Sequence, residues 1–356
     1  MTAAAGGLPI GYYVHHHGAG HGAHGVALGR VLGDRLVGLG SGPIPNGWHS
    51  EWIPLPRDDR PEAEGDPTRH GAWHWLPHQH QGFTQRMRAI ASWIAGNDPA
   101  VLVSDVSAEV VALSALLGVP SVAVLLAGRR TDRPHRTAFD TAEAIVAPWP
   151  EAHRQPWHEP WAAKIRHVGL LSRFEDRTAG DPDPDGRILV ILPAGGHTFD
   201  PSAIEEAAKA TGRRWDVVGA VPRPAVPNLP TDRFEQGGSG PTRERVGWHG
   251  EVDDLWPLLV AASVVVGAAG SATVADIAAA RRPAVLFAQD RPFGEQLEAV
   301  YHLERTAPVT ACRAWPCADA WPAMIESTAA LDGRRWSELH DGRAGERFAE
   351  ALCSLA

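Results

Sequence analysis

Residues 176–186 read Asp-Arg-Thr-Ala-Gly-Asp-Pro-Asp-Pro-Asp-Gly, an acidic stretch rich in proline and glycine with no large apolar side chain. Such a segment cannot join a packed core, and it divides the chain into two parts that must each bury their own apolar surface. Strand-length apolar runs alternate with helix-period segments on both sides. Before the linker, strands are expected at 8–14, 35–39, 100–103, 121–125 and 144–146, and helices at 23–33, 86–95 and 109–117. The last of these is capped by Ser107 and stopped by Gly118. An irregular segment rich in Pro, Trp and His fills 41–81. After the linker, strands are expected at 187–192, 215–218, 263–266 and 284–287. Helices are expected there at 201–210, 252–262, 271–280 and 293–303, with a loop at 222–242 and closing helices at 318–331 and 336–352. Alternation of this kind specifies α/β architecture with parallel sheets.

The expected division is 1–175, the linker 176–186, a second domain 187–335 and a C-terminal helix in 336–356 whose return to the first domain the connection permits. A hydrophobic fraction of 44% over 356 residues is enough for two cores. The formal net charge of −9 argues against a nucleic-acid partner. The three cysteines, Cys312, Cys317 and Cys353, form no CxxC pair and read as thiols of a reducing compartment. The N-terminus lacks a basic region followed by an apolar run, and the most apolar stretch is broken by Gly118 and Pro120. No transmembrane segment and a cytoplasmic location are therefore expected, with peripheral membrane contact left open.

Two strand–helix junctions carry chemistry. In the second half, the run 263–266 ends in small residues and a helix begins at Gly270-Ser271. Glycine admits a ligand close to the backbone, and the helix start offers unpaired N–H groups at a positive dipole end, which together cradle a diphosphate. Asp276, one turn further on, is placed to accept from a ribose diol; the plainer reading is a tight packing turn with Asp276 solvated. After the next strand, Glu295 and Gln296 supply acceptors and donors suited to sugar hydroxyls. In the first half, a strand at 8–14 leads into Gly18-Ala19-Gly20-His21, and Asp105 closes the strand at 100–103 on the same sheet edge.

The pattern from Gly247 to Gln296 resembles the donor site of GT-B glycosyltransferases. It is most similar to the family that adds N-acetylglucosamine to lipid-linked muramyl pentapeptide, with its actinobacterial relatives. The matching residues are Gly270-x-x-Thr273-x-x-Asp276 and the loop 290–296. The resemblance implies two Rossmann-like domains facing across a cleft and transfer of a sugar, uridine-linked, to a hydroxyl acceptor that the sequence does not identify. It implies no metal and no cofactor beyond the nucleotide-sugar co-substrate. On that resemblance Gly270, Ser271 and Thr273 hold the diphosphate, Asp276 the ribose, and Glu295 and Gln296 the donor sugar. Residues 248–252, including Trp248 and Val252, contact the base, while Gly195 and Gly196 form a second glycine loop. Trp248 reads equally as a packing residue.

Gly18, Gly20 and His21 match the family's first glycine loop, on the acceptor side. His21 is the candidate base, since histidine titrates near neutral pH. Asp105 either orients His21, binds acceptor or caps the following helix. The chain departs from the family with Asp276 in place of Glu, with Pro193-Ala194 before the second glycine loop and with His24-Gly25 where an arginine is common.

Other readings remain open at this level: a nucleotide-sugar 2-epimerase of the same fold, a non-catalytic sugar or nucleotide binder, and a zinc hydrolase. Ten of the 18 histidines precede residue 81, and His74-x-x-x-His78-x-His80 is dense in ligands. Pro77 argues against a helical face there, and neighbours such as His15, His16 and His17 on extended backbone point to opposite sides. The arginine-rich loop 128–133 suits an anionic acceptor or a solvated surface.

Overall fold

The computed structural model describes residues 7–16, 18–60, 62–180, 186–193, 199–220 and 245–355. Gly195, Gly196, His17, the loop expected at 222–242 and residues 181–185 of the linker lie outside them. The first half comprises β1 (Ile10–Val14), α1 (Gly20–Leu32), β2 (Leu36–Gly40), β3 (Trp52–Pro54), α2 (Gln81–Asn97), β4 (Val101–Asp105), α3 (Ala108–Leu116), β5 (Ser121–Val124), α4 (Arg133–Thr141), β6 (Ala144–Ala147) and β7 (Ile165–His167). The second half comprises β8 (Arg187–Ile191), α5 (Pro201–Thr211), β9 (Trp215–Val218), β10 (Val246–Gly250), α6 (Trp256–Ala261), β11 (Ala262–Ala268), α7 (Ser271–Ala279), β12 (Ala284–Phe287), α8 (Glu295–Thr306), β13 (Val309–Cys312), α9 (Trp321–Ala329) and α10 (Ala344–Cys353).

Seven strands form one parallel sheet in the order β3-β2-β1-β4-β5-β6-β7, and six form a second in the order β10-β9-β8-β11-β12-β13. The central strands β1, β2, β4, β5 and β6 are buried along their whole length, which is what helices on both faces of a parallel sheet require. Strand order reverses between β1 and β4 in the first sheet and between β8 and β11 in the second. Loops diverge at such switch points and open a crevice beyond the carboxyl ends of the strands.

One apolar cluster joins the halves: Trp149, Trp161 and Phe174 of the first pack with Trp256, Val274, Leu303 and Trp336 of the second. Helix α10 returns to the first half, where Phe348, Ala349 and Leu352 share a core with Ile10, Tyr12 and Leu28. Arg347 Nε donates to the Val168 carbonyl at 2.8 Å, and the Gly345 N–H to Glu175 Oε2 at 3.0 Å, which pins the returning helix. Among the described residues, no helix is long and apolar enough to cross a membrane.

The expected strands match the observed ones closely, and β9 and β12 have the expected bounds. Four strands and a helix were not expected. Strands β3 and β7 are three residues long, β10 reads Val-Gly-Trp-His-Gly, and β13 is half-exposed beyond its first residue. Their place is set by the neighbouring strand rather than by an apolar pattern of their own. Helix α4 reads as a polar loop because it begins Arg-Pro. Helix α1 starts at Gly20, three residues before the expected 23. Helix α8 starts at Glu295 because Phe293 and Gly294 adopt φ of 64° and 67°, outside helical space.

Phe348 is fully buried between α10 and the first sheet. Phe348→Ala is expected to cost about 3–5 kcal/mol in urea unfolding, whereas Leu116→Ala, at a position 84% exposed, should stay within about 0.5 kcal/mol of the parent.

Candidate active site

Strands β1 and β4 are hydrogen-bonded neighbours with Val14 opposite Asp105, so the first switch point lies directly above these residues. The chain leaves β1 through Gly18, whose φ of 85° needs glycine, and enters α1 two residues later. That places His21 and His24 three apart on the first turns of α1, on one face. Strand β4 stops in a turn that holds Val106 at φ 69°, a strained conformation for a β-branched residue of the kind that collects at functional sites.

The carboxylate of Asp105 is wholly buried and has three partners. Tyr12 Oη donates to Oδ2 at 2.8 Å, His21 Nδ1 stands 2.9 Å from Oδ1, and His24 Nδ1 stands 3.1 Å from Oδ2. An acceptor-only carboxylate facing both Nδ1 atoms selects the tautomer in which each carries the proton, leaving both Nε2 atoms as acceptors. Burial alone would raise the Asp105 carboxyl, but His21 and His24 override it and hold it well below the usual range. Burial likewise lowers His21; the charge and hydrogen bond of Asp105, with Glu295 adding and Arg130 opposing, bring it above its ordinary value of 6.5. His15, stacked on His16, meets the His21 ring edge-on with centroids 5.7 Å apart.

The start of α7, at the second switch point, faces this cluster. Ser271 Oγ is 3.3 Å from His24 Nε2, and a Cβ on Gly20 would stand 3.7 Å from Ala272. Gly270 is the N-cap residue and no side chain caps α7, so its first N–H groups are available beside half-buried Ser271 and Thr273. Gln296, nearly buried, accepts from the Gln289 N–H at 2.9 Å with Oε1. Its Nε2 lies 3.9 Å from where a Cβ on Gly270 would be. Glu295 Oε2 receives a hydrogen bond from buried Arg130 Nη2 at 2.9 Å. A cleft opens alongside, with Trp149, His153 and Leu170 on one wall and Ser271, Glu295 and His302 on the other.

Several expected site residues sit elsewhere than anticipated. Asp276, assigned to the ribose, is buried with both oxygens engaged: Ser172 Oγ donates to Oδ1 at 2.8 Å and Arg173 Nε to Oδ2 at 3.0 Å. It fastens the end of the first domain to α7. Trp248 lies in edge strand β10 and packs on the core of the second domain, the packing alternative; half-buried Val252 packs on the shared cluster. The set His74, His78 and His80 does not converge, because His78 turns to Arg69 and His80 Nδ1 caps α2 by accepting from the Phe83 N–H. Of the arginine loop, Arg130 pairs with Glu295 across the domain seam. Tyr12 and the tie of Ser172 and Arg173 to Asp276 carried no sequence signal, whereas the i, i+3 spacing of His24 from His21 could have drawn attention to His24.

Two parallel sheets meeting at their switch points, with the last helix returning to the first domain, are the fold of the GT-B glycosyltransferases. No protein-family model matches the chain. It is 27% identical over 259 residues, 70% of each chain, to the UDP-N-acetylglucosamine–N-acetylmuramyl-(pentapeptide) pyrophosphoryl-undecaprenol N-acetylglucosamine transferase of Rubrobacter xylanophilus, so the resemblance read from Gly247 to Gln296 extends over most of the molecule. Among solved structures it is similar to the calicheamicin glycosyltransferase CalG4, with TM-score 0.63, 16% identity and 98% of each chain covered. It is similar also to Arabidopsis thaliana UGT89C1 complexed with UDP-L-rhamnose, with TM-score 0.67, 13% identity and coverage of 98% of this chain and 99% of that one. At these identities the solved structures establish the architecture.

Because the folded-state pKa of His21 lies above its ordinary 6.5, the His21–Asp105 pair contributes stability that is complete at lower pH and is lost as pH rises through the folded value. An NMR titration should place the His21 midpoint above 6.5, and Asp105→Asn should bring it below, since burial then acts without the opposing charge. A midpoint unmoved by Asp105→Asn would show that the carboxylate does not set it.

Proposed function

We propose that this protein transfers a sugar from a UDP-linked donor to a hydroxyl acceptor, without a metal at the reacting atoms. One observation carries the reading: the buried His21–Asp105 pair at one switch point stands against the open N-terminus of α7 at the other, joined through His24 and Ser271. The relative from Rubrobacter xylanophilus, named for a UDP-N-acetylglucosamine donor, supports the choice of donor.

In this reading His21 Nε2 takes the proton of the acceptor hydroxyl as its oxygen attacks the anomeric carbon. The bond from that carbon to the phosphate oxygen breaks, and the nucleoside diphosphate leaves with the electron pair. Asp105 keeps the ring in the accepting tautomer and stabilises the imidazolium that forms, which is the task of a buried carboxylate behind a general base. The charge developing on the diphosphate is met by the N–H groups that open α7, pre-oriented dipoles that take the place of a cation. Gln296 and Glu295 lie where the donor sugar would sit, with Gly18 and Gly20 shaping the acceptor side.

His21→Ala is expected to lower UDP release in the presence of an acceptor panel by about 10²–10⁴-fold. UDP at a hundred times its Kd should stabilise parent and variant alike by about 2.7 kcal/mol in a thermal-shift experiment. No stabilisation by any uridine nucleotide would overturn the donor assignment. Full turnover in His21→Ala would overturn the base, and conversion of the donor with no acceptor present would point to epimerisation.

A further inference from the structure

Asp132 is the N-cap residue of α4, yet its side chain makes no capping hydrogen bond to that helix. Its carboxylate is turned instead toward two imidazoles. Oδ1 lies 2.5 Å from His135 Nδ1, one turn along α4, and Oδ2 lies 2.6 Å from His74 Nε2. His74 comes from a distant loop and is held there by its backbone: the N–H groups of His74 and Trp75 both donate to Glu109 Oε1 at 2.9 Å. The two rings stand edge to face with centroids 4.4 Å apart, and the three ligand-type atoms lie within 4.8 Å of one another. An N-cap aspartate that forgoes its helix to face two histidines from separate segments is arranged for something other than capping.

We propose that His74, Asp132 and His135 form a zinc site that ties the irregular segment before α2 to the start of α4, with water completing the tetrahedron. Two imidazole nitrogens and a carboxylate oxygen are a donor set that Zn²⁺ takes at about 2.0–2.2 Å, with ligand atoms about 3.3 Å apart. Seating the ion thus asks the carboxylate to withdraw by about 1 Å or less. His74 and Asp132 are about one-third exposed, which leaves a side open to water.

Ligation through Nδ1 moves the His135 proton to Nε2, which then no longer accepts from Arg130 Nη1 at its present 3.3 Å. Arg130 keeps Glu295 and the carbonyls of Leu126 and Ala127. Phe293 closes the site from the second domain, its ring 4.7 Å from that of His135 and 5.7 Å from that of His74. The ion would therefore stiffen the seam beside the cleft without touching the reacting atoms, and the proposal stands independently of the transfer reaction.

The test is calorimetric titration of the chelator-treated full chain with ZnCl₂, paired with thermal unfolding and, with Co²⁺ as probe, visible absorption. The parent should bind one equivalent, show the intense d–d bands of a tetrahedral site, and melt at higher temperature with zinc. His135→Gln and His74→Ala should each weaken the affinity by at least about 10–100-fold, with unchanged far-ultraviolet circular dichroism. His78→Ala, which removes a nearby histidine that faces Arg69, should bind as the parent does. Equal affinity in parent and His135→Gln, loss of the tight equivalent in His78→Ala, or octahedral cobalt spectra would each overturn the proposal.

Discussion

A buried carboxylate must be surrounded by donors or it costs the fold several kcal/mol, and Asp105 is the point where that requirement organises the molecule. It is the last residue of β4, and all three of its side-chain partners come from β1 and α1. Satisfying it therefore settles which strand lies beside β4, how the chain leaves β1, and how α1 is rotated. Tyr12 packs in the first core and gives its hydroxyl to this carboxylate; its phenol is pushed far above its ordinary range by burial and then by the adjacent charge, so it remains a donor throughout the working range. The two histidines gain a fixed tautomer from the same carboxylate. Structural and chemical demands coincide on one side chain, which is why the strained turn at Val106 is tolerated next to it.

The two acidic residues expected at the donor are used at the domain seam. Asp276 holds Ser172 and Arg173, and Glu295 holds Arg130, whose Nε also reaches the carbonyls of Leu126 and Ala127. Each pair joins one domain to the other, and each is sheltered enough that losing one partner would strand the other in a poorly solvated place. Glu295 still borders the cleft, so one oxygen can serve a sugar while Oε2 stays with Arg130. Asp276 has no such freedom. The relative orientation of the domains thus rests on charge pairing as well as on the shared cluster around Trp149, Trp256 and Trp336.

How much of this was legible in the sequence follows from what each element depends on. Strand β12 could be read to the residue because an unbroken apolar run between Pro and polar residues has one economical solution, a covered parallel strand, and β9, Trp-Asp-Val-Val, because its apolar residues are bounded by Arg214 and Gly219. Strands β3, β7, β10 and β13 could not, because they are short or polar and take their register from a neighbour. His21 and Asp105 were visible as residues at or just beyond two strand ends, but the meeting of these side chains, 84 residues apart, depends on β1 and β4 being adjacent, which alternation alone does not dictate. The engagement of Asp276 was not legible for a related reason: its position in the second turn of α7 is periodic and readable, while the partners that claim it come from residues 172 and 173 in the other domain. The linker between them was readable only as a spacer.

His24 links the two switch points in a way that neither domain could supply alone. Its Nδ1 faces Asp105 and its Nε2 faces Ser271, so a continuous line of hydrogen bonds runs from Tyr12 in the first core, through Asp105 and His24, to the opening turn of α7. With Nδ1 donating, Nε2 must accept, and the Ser271 hydroxyl must donate to it. The serine proton is then committed to His24, and the backbone N–H groups and the Thr273 hydroxyl are left as donors of that turn. The hydrogen bond from Ser271 to His24 thus ties the start of α7 to the same carboxylate that sets the tautomer of His21.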